Sequence, residues 1–486
     1  MKTRQPSILL LLLCLFPLLA SAQWTQVGQD LNGSNQGDAF GRSVALNSAG
    51  DVLAVGNDRD SSSFASYVRM FAWDGNAWVQ RGQDIEGTGG LDLVGEFVAL
   101  SDAGDVVAIR ARGVNNFAGA TRVYLWDGTN WNQLGADMLG DSASAAGLCG
   151  DISMDARGLT VAVGACNINA NAGRTKVYDW DGTAWVQRGQ DLEGEAPGDR
   201  SGASISLNSG GNRIAIGAEV NQGGGMAAGH VRIYEWDGNN WVQMGSDIDG
   251  NPWEFFGSRV SMNDLGNVVA IGAPQTDSTT FDGVSRVYEW NGSSWVQRGQ
   301  DIAAETTGWE TAYSVSLNNL GNVLAVGAST NSGTAYWAGH VRVFSWTGSN
   351  WAQIGGDIDG VGEQDFFGAA VSLSATGTRI AVGASGNDEN GTTSGEVRVF
   401  ENPTMVGRSE PQRLEAYLYP NPAQGTIRLH TTSPARVKIY DTTGKLVFAE
   451  ENMTDGLEIT LHGSMSMYFA VIESSTGAST QKILIQ

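Results

Sequence analysis

An all-β fold, a seven-bladed β-propeller followed by a small Ig-like β-sandwich, is predicted by three observations. A tryptophan opening W-x-Q-x-G or a near variant stands at Trp24, Trp78, Trp131, Trp185, Trp241, Trp295 and Trp351, with spacings of 54, 53, 54, 56, 54 and 56. Self-similarity at a fixed period of this length marks a repeat architecture. Each unit carries four strand-like runs between Gly-rich turns and no credible helix; in the first these are WTQVG, FGRSVALN, DVLAVG and YVRMFAW. The array also begins with a lone WTQVG and stops at Val397-Arg398-Val399-Phe400 without its own W-x-Q run. The first strand then supplies what the last unit lacks, closing a ring over residues 23–402 that leaves no open sheet edge. An open solenoid would need polar caps instead.

Residues 1–22 read as a secretory signal: Lys2 and Arg4 form the positive start, Ile8 to Leu19 the apolar stretch, and Ala20-Ser21-Ala22 the cleavage site before Gln23. The apolar run is short for a membrane span, and no later segment is long enough to be one. Leu13 before Cys14 is not the small residue that a lipid-anchored cysteine requires. The chain carries a net charge of −23, and losing Lys2 and Arg4 leaves −25 for the mature protein. Such an acidic surface repels nucleic acid and anionic membranes, which excludes both as partners.

The best-formed unit is VRIYEWDGNNWVQMG, residues 231–245. It reads as a hairpin whose Gly238 takes the positive φ of a tight turn, with Trp236 and Trp241 opposite each other. Such an aromatic pair adds about 0.5–1.5 kcal/mol beyond its area burial. The order of runs places W-x-Q outermost and F-G-x-S-V-x-L innermost in each blade. Two short connections per blade, the N-S-A-G and W-D-G-x-x-W types, then share one face. The two long, variable connections share the other, where binding residues are expected.

The runs Phe40-Gly41-Arg42-Ser43-Val44-Ala45-Leu46 and Phe256-Gly257, with Gly272-Ala273-Pro274, resemble the FG-GAP repeats of integrin α-chain propellers and related bacterial proteins. That family often carries a D-x-D-x-D-G-x-x-D calcium loop between these strands. Here only short turns such as Asn47-Ser48-Ala49-Gly50-Asp51 and Asn263-Asp264-Leu265-Gly266-Asn267 stand in that place, too short to offer six to eight oxygen ligands. A second acidic pattern, Asp247-Ile248-Asp249-Gly250 and Asp357-Ile358-Asp359-Gly360 with Asp365, allows a weak calcium site. The reading preferred for it is Asx-turns, so no metal and no cofactor is expected.

The mature chain has Cys149 and Cys166, both in the third repeat. Pairing Asp155 with Thr160 sets them opposite each other across a hairpin, give or take one residue, and an exported protein joins such a pair. His230 and His340 share one repeat position and so read as repeat features; His430 and His462 lie apart near the C-terminus. No Ser/His/Asp order, H-E-x-x-H or phosphate-cradling loop is present, so no catalytic residue is assigned. Trp253, Trp309 and Trp337 fall outside the hairpin pattern, in variable-face loops that also hold Phe255, Phe281, Tyr336 and Phe366. They form either an aromatic platform for a sugar or protein, or filling between blades.

Residues 403–413 read as a linker, and 414–486 as a small β domain with alternating runs at Thr426–Leu429, Val437–Tyr440, Leu457–Leu461, Tyr468–Ile472 and Lys482–Ile485. This segment resembles the type A C-terminal sorting domain of Bacteroidetes type IX secretion. The resemblance rests on Tyr419-Pro420-Asn421-Pro422, on Val437 to Asp441 with Gly444-Lys445-Leu446-Val447, and on Gln481-Lys482-Ile483-Leu484-Ile485. Ser466 stands where that family has the Gly of G-x-Y-x-V. The resemblance implies export across the outer membrane, recognition by the type IX machinery and removal of the domain by a surface sortase-like peptidase near the linker. The cargo is then secreted or held on the cell surface. The expected role is a binding or adhesion module for a glycan or protein ligand. A polysaccharide-acting enzyme and a passive coat component are the alternatives.

Overall fold

A computed structural model gives the structure of the chain. It describes residues 23–57, 66–87, 92–140, 150–275, 282–305 and 314–402, then 416–419, 426–431, 434–441, 445–454, 456–461, 466–474 and 477–485. The chain divides into two compact units, Met1–Thr404 and Met405–Gln486.

The first unit is a seven-bladed propeller. Its blades 1 to 7 open on the inner strands Ser43–Leu46, Val94–Leu100, Ile152–Met154, Ser204–Leu207, Arg259–Met262, Ser314–Leu317 and Phe367–Leu373. Each continues outward as an antiparallel meander. In blade 4 the later strands are Arg213–Ala218, His230–Trp236 and Trp241–Gln243. Second strands such as Val323–Ala328 are buried along their whole length, which their unbroken apolar run requires. The outer edge is broken, a detail absent from the sequence reading: Trp241–Gln243 and Ile248–Asp249 both pair with the third strand, with a bulge between them. Blade 7 takes its edge from the start of the chain, where Thr25 pairs with Glu401 and Leu31 with Val397. A four-residue turn, Val114–Phe117, with Asn115, Asn116 and Phe117 in the left-handed region at φ 55°, 55° and 63°, interrupts a blade 2 connection.

The repeated tryptophan ties blades together. Trp241 stands directly across from Trp236, with ring centroids 5.5 Å apart. Its indole N–H donates across the seam to Arg188 O in blade 3 at 2.9 Å. All seven W-x-Q tryptophans make this bond to the preceding blade, including Trp24 to Ile354 O across the closing seam. The motif's glycine makes room for the next tryptophan pair: a Cβ on Gly189 would lie 2.4 Å from Trp236. The turn between Trp236 and Trp241 closes by Asp237 N–H donating to Asn240 O at 3.0 Å, with Gly238 at φ 107°. The Asp237 carboxylate accepts from the N–H groups of Asn239 and Asn240 at 2.7 and 2.8 Å.

The glycines of the F-G and V-G-A runs meet backbone to backbone between blades. A Cβ on Gly217 would lie 2.0 Å from Gly257 O, and one on Gly383 2.0 Å from Gly41 O. Around the channel, inner-strand serines clip successive blades. Ser153, Ser206, Ser261, Ser316 and Ser372 accept through Oγ from the N–H groups of Leu207, Met262, Leu317, Leu373 and Leu46. Ala45 and Ala99 hold this position in blades 1 and 2 and have no hydroxyl to offer.

The second unit holds a three-stranded sheet, Ala416–Tyr419, Thr426–Thr431 and Glu458–Thr460. A four-stranded sheet orders Leu446–Met453, Ala435–Asp441, Ser466–Ser474 and Gly477–Ile485 side by side. Ile427 and Leu429 of the first sheet pack on Val437, Ile439 and Ile472 of the second, the core of an Ig-like sandwich. Two strands escaped the sequence reading. Leu446–Met453 carries exposed Leu446 and Val447 and register irregularities against Ala435–Asp441, so it lacks clean alternation. Tyr419 ends a strand, Lys445 is exposed and Lys482 lies in the last strand, whereas Pro420, Asn421, Pro422 and Gly444 lie outside the described residues. So do the signal segment with Ala22, and residues 403–413.

Candidate ligand-binding face

The antiparallel meander puts the second-to-third and blade-to-blade connections on one face. There they zip together in pairs. Trp253 and Phe255 donate their N–H groups to Met226 O and Ala227 O at 2.8 and 3.0 Å. Gln364 and Phe366 donate to Tyr336 O and Trp337 O at 2.8 and 3.1 Å, and Ala39 to Thr393 O at 2.9 Å. The zipper holds side chains in the left-handed region, which ordinarily costs of order 1 kcal/mol or more per residue. Trp253 is the telling case. Three residues before the F-G position, Gly37 and Gly198 have φ 76° and 94°, and Trp253 has φ 71° at the same place while remaining 37% exposed.

The predicted aromatics fall into two groups. Trp253 and half-buried Phe255 stand at the rim of blades 4 and 5, beside exposed Met226. Tyr336, 52% exposed, stacks on Trp337 at 4.6 Å, and Trp337 meets Phe366 at 5.8 Å. Trp309 and Phe281 lie outside the described residues. Phe366 also lines a cleft of about 620 Å³ at the heads of the inner strands of blades 7 and 1, with Arg42, Thr330, Glu363, Asp388 and Thr393. Sequence reasoning missed this cleft because its polar walls come from four connections far apart in the chain.

The acidic pattern has a structural explanation different from Asx-turns at Asp247 and Asp249. Asp247 accepts from the Gln243 side-chain amide at 2.6 Å, and Asp249 is a strand residue opposite His230. The same Gln-to-Asp bond recurs in every repeat, which is why W-x-Q-x-G is followed by Asp. Asp365 does cap local backbone, accepting from Gly362 N–H at 2.8 Å. In four blades an arginine pairs with the repeat's aspartate: Arg69–Asp84, Arg122–Asp137, Arg174–Asp191 and Arg286–Asp301, at 2.6 to 3.0 Å.

Perturbed acids on the inner and seam positions serve the frame. Burial pushes the Asp151 carboxyl up to about 6, against the N–H groups of Ile205 and Ile152 and the Arg259 charge. Asp151 Oδ2 accepts from Ile205 N–H at 3.1 Å and so braces blade 3 to blade 4. Glu396 is pushed up to about 7, first by burial, with Arg398 opposing and the Asp30 carboxylate adding to the rise. His230 is held below its ordinary value, first by burial and then by Arg232. Cys166 is fully buried, and Cys149 lies outside the described residues.

Residues 417–486 match the family described as Secretion system C-terminal sorting domain, and residues 359–400 match the FG-GAP repeat. No curated protein matches the chain. Among solved structures it is similar to hydrazine synthase of Kuenenia stuttgartiensis at 11% identity and TM-score 0.47, covering 74% of this chain and 94% of that one. It is also similar to a candidate 6-phosphogluconolactonase of Bacteroides uniformis at 10% identity and TM-score 0.48, covering 89% and 99%. A second one, from Bacteroides fragilis, matches at 10% identity and TM-score 0.48, covering 85% and 95%. At these scores no activity carries over. No helix among the described residues is long and apolar enough to cross a membrane. The chain is a propeller protein with an FG-GAP repeat and a type IX C-terminal sorting domain, secreted or displayed on the outer surface.

Proposed function

We propose that the propeller is a non-catalytic binding module that holds a glycan on its variable-loop face, at the cleft over blades 6, 7 and 1. The observation that carries this is the exposed Tyr336–Trp337 stack running into Phe366 on the cleft wall. An apolar shelf beside hydroxyl, carboxylate and guanidinium groups suits a sugar ring, which offers a C–H face and a polar rim. Strained, exposed Trp253 supplies a second contact at blade 5 for a longer chain. The perturbed carboxyl Asp151 is occupied in bracing blades, which favours a binder over a polysaccharide-acting enzyme.

On a glycan and polysaccharide array, the intact protein binds a defined subset, and Tyr336→Ala/Trp337→Ala weakens that binding at least about tenfold, some 1.4 kcal/mol. Equal binding by both proteins, or no glycan bound at all, would sink this reading.

We also propose a Cys149–Cys166 disulfide. What supports it is that Cys166 is fully buried three residues beyond the Ile152–Val163 pair of this hairpin, and that the sequence spacing brings the two cysteines to the same end of it. Peptide mapping without reductant should find the bridge, and its reduction should cost about 3 kcal/mol of stability. Two free thiols in the exported protein would refute it.

A further inference from the structure

Two clusters of identical residue types lie on different seams of the ring. Glu195, His230 and Asp247 form one, and Glu305, His340 and Asp357, each 110 residues further on, form the other. In each, the three side-chain donor atoms lie within 4.8 Å of one another. His230 opens the third strand of blade 4, Asp247 sits in the break of that blade's edge, and Glu195 follows Leu192–Glu193 of blade 3. The cluster therefore joins two blades.

The side chains are arranged with donors turned inward. Asp247 accepts from the Gln243 amide through Oδ1 and presents Oδ2 to His230 Nδ1 at 3.6 Å. Glu195 presents Oε1 to the Arg232 guanidinium at 3.6 Å and Oε2 to His230 Nδ1 at 3.9 Å. Asp249 Oδ1 stands 4.0 Å from the same nitrogen. His230 is 1% exposed, and neither of its ring nitrogens has a hydrogen-bond partner. A buried imidazole left in this state is destabilising unless something else takes its lone pair. Arg232, whose counterparts in blades 1, 2 and 5 pair with the repeat's aspartate, instead donates through its guanidinium to Glu193 O at 2.7 Å. Arg342 does the same toward Ala303 O at 2.8 Å. In the two blades that carry histidine, the arginine thus donates to a carbonyl of the preceding blade and faces the cluster's glutamate, Arg232 to Glu195 at 3.6 Å and Arg342 to Glu305 at 3.4 Å.

We propose that each Glu-His-Asp cluster binds one divalent cation of the Zn²⁺ class, bracing blade 3 to blade 4 and blade 5 to blade 6. Zinc bonds of about 2.0–2.2 Å place tetrahedral donors some 3.4 Å apart, so the separations of Asp247 and Glu195 from His230 close by a few tenths of an ångström. One imidazole and two carboxylates suit zinc or a neighbouring first-row metal. A calcium ion would want six to eight oxygens, more than the cluster holds. A water or Asp249 completes the fourth position. The acidic group Asp30, Glu389 and Glu396 in blade 7 has glutamate at the histidine position and is not part of the proposal.

The test uses the full chain stripped with EDTA and titrated calorimetrically with Zn²⁺, beside Co²⁺ followed by its visible absorption. The expected result is about two ions per chain and a rise in melting temperature, since binding to the folded state alone adds to its stability. His230→Gln should remove one ion and His230→Gln/His340→Gln both, with the metal-free melting temperature held. If His230→Gln does not fold, Glu195→Gln and Asp247→Asn should weaken one site at least about tenfold. The same stoichiometry in the double-histidine variant, no binding tighter than about 1 mM, or a preference for Ca²⁺ would each overturn the proposal.

Discussion

Trp241→Ala should destabilise the propeller by about 4 kcal/mol, near the top of what single core truncations cost. The side chain is 3% exposed and packs on Trp236, and the Arg188 guanidinium lies 5.5 Å from its ring. Its removal also deletes the donor to Arg188 O, stranding an acceptor at the seam. Val242→Ala is the control: the next residue points outward, and its loss should change stability by less than about 0.5 kcal/mol. Urea unfolding of the purified protein separates the two. A cost for Trp241→Ala as small as that for Val242→Ala would mean that the tryptophan ring of the propeller is not what ties its blades.

Gly217→Ala should cost about 3 kcal/mol by forcing two backbones apart. Its Cβ would sit 2.0 Å from Gly257 O, a backbone atom of the adjacent blade that cannot swing aside. Two further glycines isolate this cause. Gly238 has φ +107° with nothing within 4 Å, so Gly238→Ala meets only backbone strain, about 1 kcal/mol. Gly356 has neither positive φ nor a neighbour within 4 Å, and Gly356→Ala should be neutral or mildly stabilising, by about 0.5 kcal/mol. The ranking of the three melting temperatures is the measurement. Equal shifts for Gly217→Ala and Gly238→Ala would show that the blades do not approach as closely as described.

The architecture was legible because the tryptophan and glutamine of W-x-Q-x-G each have one physical task repeated in all seven blades, and the glycine has one repeated in six. The indole reaches the preceding blade, the glutamine amide holds an aspartate four residues on, and the glycine admits the neighbouring tryptophans. A task repeated seven times leaves a period in the sequence. The cleft and the histidine clusters left none that could be read locally. Arg42, Thr330, Glu363 and Asp388 meet only after the ring closes. His230 and His340 were visible as a repeat position, but their carboxylate partners come partly from the preceding blade, across a seam that local spacing does not reveal. Asp247 and Asp249 read as turn residues because a two-residue strand beyond a bulge has too few letters to announce itself. In the sandwich, the polar, irregular strand Leu446–Met453 was lost for a related reason: alternation fails where one face is not fully covered.

Blade 7 is the one blade whose sheet is made from both ends of the propeller, with Thr25 bonded to Glu401 across 376 positions. Every other blade can assemble from a stretch of chain no longer than a repeat. Loop-closure entropy grows only as the logarithm of the span, about 0.6 kcal/mol per doubling, so this distance weakens the finished ring little. It weighs instead on time, because contacts far apart in sequence are slow to find. Until the first strand docks, the outer edge of the seventh sheet is bare even where the other six are complete.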